Sequence, residues 1–82
     1  MKIKILTFAS IRNYSKDFLI EIDDMDNVSL AILKEKILKK EPSLKEIIDS
    51  IAFAVNQEYC TDEKFQINDQ DEIALIPPVS GG

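Results

Sequence analysis

Asp71-Glu72-Ile73-Ala74-Leu75-Ile76-Pro77-Pro78-Val79-Ser80-Gly81-Gly82 closes the chain and organises the reading of everything before it. Residues 72–76 are a nearly continuous apolar run of strand length, the pattern expected of a central strand buried on both faces. Pro77-Pro78 ends that strand by removing two amide donors. The same pair fixes φ twice and favours extended, polyproline-like backbone, so the residues beyond it are expected to project from the sheet.

Upstream, Asn68-Asp69-Gln70-Asp71 supplies turn chemistry. Ile51-Ala52-Phe53-Ala54-Val55 reads as another strand, bounded by Asn56-Gln57-Glu58 and followed by a short partner around Tyr59-Cys60-Thr61. Before it the period changes. Leu30, Leu33, Ile37 and Leu38 fall at i, i+3, i+7 and i+8, one helical face. Asn27 is the expected N-cap, Asp23 to Asp26 sit where carboxylates favour the positive helix end, and Lys36, Lys39 and Lys40 populate the last turns. Pro42 stops this helix. Ser43-Leu44-Lys45-Glu46 fits a capping box, and Leu44, Ile47, Ile48 and Ile51 have the spacing of a short second helix.

At the N-terminal end, Ile3 and Ile5 alternate with lysines in Lys2 to Phe8, the period of a strand with one wet face. Ala9 to Tyr14 has the length of one helical turn or a loop, and Phe18, Ile20 and Ile22 alternate again. Two strands this close in sequence pair antiparallel. The order ββαβββ implies an α+β fold, a mixed sheet with one main helix packed on one face.

The 82 residues leave room for one domain, and the 45% hydrophobic and 30% charged side chains are those of a folded chain. Fifteen acids against ten bases give a net charge of −5, which disfavours nucleic acid and anionic lipid as partners. There is no histidine and a single cysteine, Cys60, which removes His-based acid/base chemistry, Cys/His triads and the usual zinc sites. No apolar run reaches membrane-span length, and Met1-Lys2 leads into strand-like sequence without a signal-type apolar region; a soluble, cytoplasmic protein is expected.

The reactive group is expected elsewhere. Both glycines of the chain are its last two residues. Without a Cβ they pass through a narrow groove and approach a partner's reacting groups closely. The group delivered is the α-carboxylate of Gly82, ionised at neutral pH and inert to nucleophiles until activated as a mixed anhydride or thioester. An ATP-using partner is therefore required. These considerations divide the chain into a domain over residues 1–78 and a flexible reactive tail over residues 79–82.

Ala54-Val55-Asn56-Gln57-Glu58-Tyr59, together with Asn68-Asp69-Gln70-Asp71-Glu72-Ile73-Ala74-Leu75-Ile76-Pro77-Pro78-Val79-Ser80-Gly81-Gly82, resembles the A-V-N-Q and D-G-D-E-V-A-x-x-P-P-V-(T/S)-G-G motifs of the small, sulfur-carrying subunits of molybdopterin synthase. These are the MoaD type of ubiquitin-like β-grasp proteins. Lys2 to Phe8 and Ala9-Ser10-Ile11-Arg12 also fit that family's first strand and A-x-x-R element, and the resemblance covers essentially the whole chain. Gln70 stands where the family often has glycine, and Leu75-Ile76 where aromatic residues are common.

The resemblance implies a ubiquitin-like β-grasp fold and a two-stage carrier. An adenylating enzyme joins AMP from ATP to Gly82, and a sulfur donor converts the adenylate into a thiocarboxylate. The tail, with Val79, Ser80 and Gly81, then enters the active site of the large synthase subunit, in a heterotetramer, and sulfur passes to cyclic pyranopterin monophosphate during molybdenum cofactor biosynthesis. The chain is then a non-catalytic, sulfur-donating subunit that binds no cofactor and no metal of its own. Ile76, Pro77, Pro78 and Arg12 are the expected partner-binding residues. A carrier for thiamine or transfer-RNA thiolation, or a protein-modifying tag, is the alternative; a passive interaction module is the third class.

Cys60, in an expected strand position, reads as a small buried hydrophobe with no role. Asp69, Asp71 and Glu72 read as solvated turn formers and not as a metal site. Phe8 and Leu75 are expected in the core, whereas Ile76 and Val79, beside the prolines, are expected at an interface.

Overall fold

A computed structural model describes residues 1–23 and 27–78. Strands β1 (Lys2–Thr7) and β2 (Phe18–Glu21), helix α1 (Leu30–Lys40), and strands β3 (Ala52–Val55), β4 (Glu58–Tyr59) and β5 (Glu72–Ile76) follow the anticipated order. They form a five-stranded mixed sheet in the order β2-β1-β5-β3-β4. β5 is central, parallel to β1 and antiparallel to β3. Alternation along the strands sends Ile3, Ile5, Ile20, Phe53, Val55, Ile73 and Leu75 to one face, where they meet Leu30, Leu33 and Ile37 of α1. This is a ubiquitin-like β-grasp.

β5 departs from the expectation of burial on both faces. Ile73 and Leu75 are fully buried against the helix side, but Glu72, Ala74 and Ile76 on the other face are only half-buried. The helix covers one side of the sheet and leaves the other open.

The helix begins at Leu30 with Ser29 as its N-cap, not Asn27. The cause lies in the segment before β5. Phe65 O accepts from Leu30 N at 2.9 Å and Glu63 O from Ala31 N at 3.1 Å, while Ser29 Oγ accepts from Ile32 N at 3.2 Å. These bonds satisfy the otherwise orphaned first-turn donors, and Ser29 forms a bridge with Gln66 that fixes the position. The acids Asp24 and Asp26 assigned to this helix end lie outside the described residues.

After Glu41 the chain forms two short 3₁₀ helices, Pro42–Glu46 and Ile48–Ser50, in place of one second helix. Ser43 does not act as a capping-box residue; its hydroxyl donates to Tyr14 O at 3.0 Å and ties this segment to the 3₁₀ turn Ala9–Asn13. Leu44 still reaches the core, as the apolar spacing demands. Cys60 follows β4 outside any strand, half-buried and packed against the core edge.

Candidate functional site

The open face of the sheet leads to the point where β5 ends. Register places Ala74 between Leu6 of β1 and Ala54 of β3, and Ile76 beside Ala52. Tyr59 of β4 pairs with Ala54 and is 73% exposed. Phe8 follows directly on β1, with φ −129° and ψ 151°. It is 47% exposed, so its assignment to the core was wrong. β1 is one residue shorter than the alternation suggested, and Phe8 falls on the open face, where no helix covers it. Leu75 is fully buried, as expected. The result is an apolar band of Leu6, Phe8, Ala52, Ala74, Ile76 and Tyr59, bordered by the ion pair of Lys4 and Glu72 at 3.9 Å. A contiguous apolar band with a charged border is the composition of a docking surface.

Pro77 is half-buried and Pro78 exposed. Both line a groove with Ser10, Ile11, Tyr14, Ile47 and Ile51, contributed by the 3₁₀ segments. The chain entering Pro77 is thus held by β1 up to Leu75, by β3 up to Ile76, and by this groove beyond. Val79, Ser80, Gly81 and Gly82, the residues expected to react and insert, lie outside the described residues.

Arg12 stands at the same end of the sheet, since Thr7 pairs with Leu75. Its Nη1 lies 3.6 Å from Asp17 Oδ1 and donates to Thr7 O at 3.4 Å, with the side chain 54% exposed. Asp17 Oδ1 also accepts from Thr7 N at 2.8 Å and Thr7 Oγ1 at 3.0 Å. The Thr7 amide, then the Thr7 hydroxyl and the Arg12 charge hold the Asp17 carboxyl below the usual aspartate range. Arg12 is therefore a pre-oriented cation beside the tail root, with part of its guanidinium available to a second carboxylate.

The remaining motif residues build the scaffold. Asp71, 9% exposed, accepts from Asn56 Nδ2 at 3.0 Å and from Asn68 N at 2.8 Å. Asn56 Oδ1 accepts from Glu72 N at 2.9 Å, and Asn56 N donates to Glu72 O at 2.8 Å. This pair joins the β3–β4 hairpin to the start of β5. Asp69 Oδ1 accepts from Lys2 N at 2.7 Å; that amide is the main reason its carboxyl is held below the ordinary range, with smaller help from Gln70 and the N-terminal charge. Asp69 is the exposed turn former expected, whereas Asp71 is a buried turn residue and Glu72 opens β5, so neither of those two is the solvated turn former the sequence suggests. Among the described residues no group of three or more Asp, Glu, Cys or His is placed to hold a metal. No helix among the described residues is long and apolar enough to cross a membrane.

Neither Tyr59 nor Leu19 was singled out beforehand. For Tyr59 the sequence carries no distinguishing signal, and the β3–β4 register is what sets it beside Ala54 on the open face; for Leu19 the alternation with buried Ile20 was the available signal.

A β-grasp sheet whose central strand runs straight into a proline-stiffened, glycine-ended segment beside an apolar face defines a ubiquitin-like carrier architecture. The family model described as "ThiS family" matches residues 5–82. The molybdopterin synthase sulfur carrier subunit of Dictyostelium discoideum is 40% identical over 81 residues, spanning 96% of this chain and 94% of its own. Among solved structures, a complex of subunits 1 and 2 of molybdopterin-converting factor from Helicobacter pylori 26695 is similar with TM-score 0.77 and 29% identity over the whole of both chains. SAMP1 from Haloferax volcanii shares the fold, with TM-score 0.85 and 22% identity over the whole of both chains. The chain belongs to the ThiS family.

Proposed function

We propose that this protein is the sulfur-carrier subunit of a molybdopterin synthase and acts in molybdenum cofactor biosynthesis, with residues 1–78 as the carrying domain and residues 79–82 as the reactive tail. The observation that carries this reading is the end of β5. The central strand, clamped on both sides, delivers Pro77-Pro78 to the rim of an apolar face in a chain similar over nearly its whole length to a named sulfur carrier.

The α-carboxylate of Gly82 attacks the α-phosphorus of ATP in an adenylating partner, releasing pyrophosphate, and a sulfur donor then displaces AMP to leave a thiocarboxylate. Activation is obligatory because a carboxylate anion resists nucleophiles. Acid/base and anion-binding groups come from the partners. The six residues after Ile76 span at most roughly 20 Å, which bounds how deeply a partner's active site can lie behind the surface that meets the open face. Phe8, Ile76, Pro77 and Pro78 dock against the larger subunit. Arg12 pairs with one of its carboxylates. The complex of the two converting-factor subunits from Helicobacter pylori supports a large-subunit partner.

Incubation with the cognate adenylating enzyme, ATP and a sulfur source, followed by intact-mass measurement, tests the first stage: one oxygen of Gly82 is replaced by sulfur. Adding the large subunit and cyclic pyranopterin monophosphate tests the second. Thiocarboxylate formation without pterin dithiolene would assign the carrier to another sulfur pathway, and no mass gain would make it a passive module.

A further inference from the structure

β2 is an edge strand, paired only with β1 among the described residues. Met1 and Ile22 exchange main-chain bonds, Met1 N to Ile22 O at 2.7 Å and Ile22 N to Met1 O at 2.9 Å. Bonded pairs alternate along an antiparallel ladder, so Ile3 with Ile20 and Ile5 with Phe18 repeat that arrangement. The N–H and C=O groups of Leu19 and Glu21 therefore face outward from the sheet.

That edge forms one wall of a groove of about 450 Å³ whose other wall is helix α1, lined by Leu19, Ile20, Glu21, Lys36, Lys39 and Lys40. Three lysines against one glutamate make it a cationic strip on a chain of net charge −5. Among the described residues, lysine ion pairs are made by Lys4 and Lys34; Lys36, Lys39 and Lys40 make none. Leu19, 49% exposed, lies at the same edge but on the open face of the sheet, because it pairs with Lys4 while its neighbour Ile20 pairs with Ile3.

We infer that the β2–α1 groove is a second docking site, taking an extended segment of a partner protein in which acidic and apolar residues alternate. The segment adds to β2 as a sixth strand. Successive side chains of a strand point to opposite faces. Its carboxylates thus meet Lys36, Lys39 and Lys40 on the helix side, and its apolar residues continue the sheet past Leu19 on the other. Glu21 disfavours a segment that is acidic at every position. Main-chain bonds supply affinity and alternating side chains supply selectivity, as in strand-addition recognition generally. The site is separated from β5 by β1, so it can be filled while the tail is engaged.

The test is an amide-resolved NMR titration of the full chain with the capped peptide GVEVEVEG. Binding with a Kd on the order of 1 mM or tighter is expected. The shifts should centre on Leu19, Glu21 and residues 36–40. Lys39→Gln with Lys40→Gln should weaken it roughly tenfold or more without lowering the Tm. Two further peptides, N-methylated at the valines or at the glutamates, separate strand addition from simple charge attraction: one of them must lose binding. No shifts at about 2 mM peptide, equal binding by both methylated peptides, equal binding when lysine replaces glutamate, or shifts confined to the face around Phe8 would each overturn the inference.

Discussion

Replacing Asp71 with alanine removes the single side chain that bonds both the β3–β4 hairpin and the turn before β5. Two hydrogen bonds to a carboxylate are lost, from Asn56 Nδ2 at 3.0 Å and Asn68 N at 2.8 Å. At about 1.5–3 kcal/mol for each bond to a charged group the upper limit is near 6 kcal/mol. Both donor residues are exposed, however, so water replaces much of the lost acceptor and the loss falls below the summed lower limit of about 3 kcal/mol. A loss of about 2–3 kcal/mol is expected, read as a lower urea midpoint with unchanged slope. In a domain of this size it corresponds to a Tm lower by roughly 10–20 °C. Asn56→Ala should also destabilise, because Glu72 N loses its side-chain acceptor. The two losses are not independent: the double variant should be less destabilised than the sum by about 1 kcal/mol, since the shared bond is broken only once. Strict additivity, or an Asp71→Ala loss below about 0.5 kcal/mol, would refute the view that this pair locks the hairpin to β5.

Gln70→Gly and Gln57→Gly should each raise stability by about 0.5–1 kcal/mol, because φ of 71° and 74° costs a side-chain-bearing residue more than glycine's added unfolded-state freedom gives back; thermal unfolding that leaves both unchanged would contradict this. Asp17 and Asp69 have lowered folded-state pKa values, so the stability they contribute is fully present above the ordinary aspartate pKa and is lost as pH falls through the lower folded values. Urea midpoints should therefore decline below about pH 4, and Asp17→Asn should flatten that decline while lowering the midpoint at neutral pH. Adding one residue after Gly82, or replacing Gly81 with a bulky residue, should abolish sulfur loading or transfer with the urea midpoint unchanged; retained transfer would remove the tail from the reaction. Phe8→Asp should weaken association with the large subunit while the isolated domain keeps its Tm, because Phe8 is 47% exposed.

Strands were the most legible elements because alternation reports burial directly. Ile3 and Ile5, and Ile20 and Ile22, point inward as their spacing requires. Local signals failed where distant backbone decided the outcome. Asn27 is a good N-cap by type, but the carbonyls of Glu63 and Phe65 meet the first helical amides and set the start at Ser29. The apolar spacing of Leu44 to Ile51 is helical in period, yet Ser43 is recruited by Tyr14, and the segment closes as two 3₁₀ helices. Phe8 shows the limit of composition: a large aromatic beside a buried strand reads as core, although its parity with Lys2 and Lys4 puts it on the wet face that the helix leaves uncovered. Gln70 occupies a left-handed position, φ 71°, that nothing in the residue's type announces; the likeness of its turn to D-G-D-E was the one available clue. Of the candidate site, Arg12 and Ile76 to Pro78 are brought to one end of the sheet, whereas the cationic strip beside β2 follows from tertiary proximity of Leu19–Glu21 to Lys36–Lys40 and has no contiguous signature.

The placement of β5 between β1 and β3 also governs how the molecule bears load. On the proposed reading, a partner that draws on residues 79–82 puts tension along the axis of β5. Both flanking ladders then resist in shear, sharing the force across many bonds at once instead of opening one by one like a zipper. The proposed handle is thus joined to the central beam of the sheet, the strand that is anchored along both of its edges.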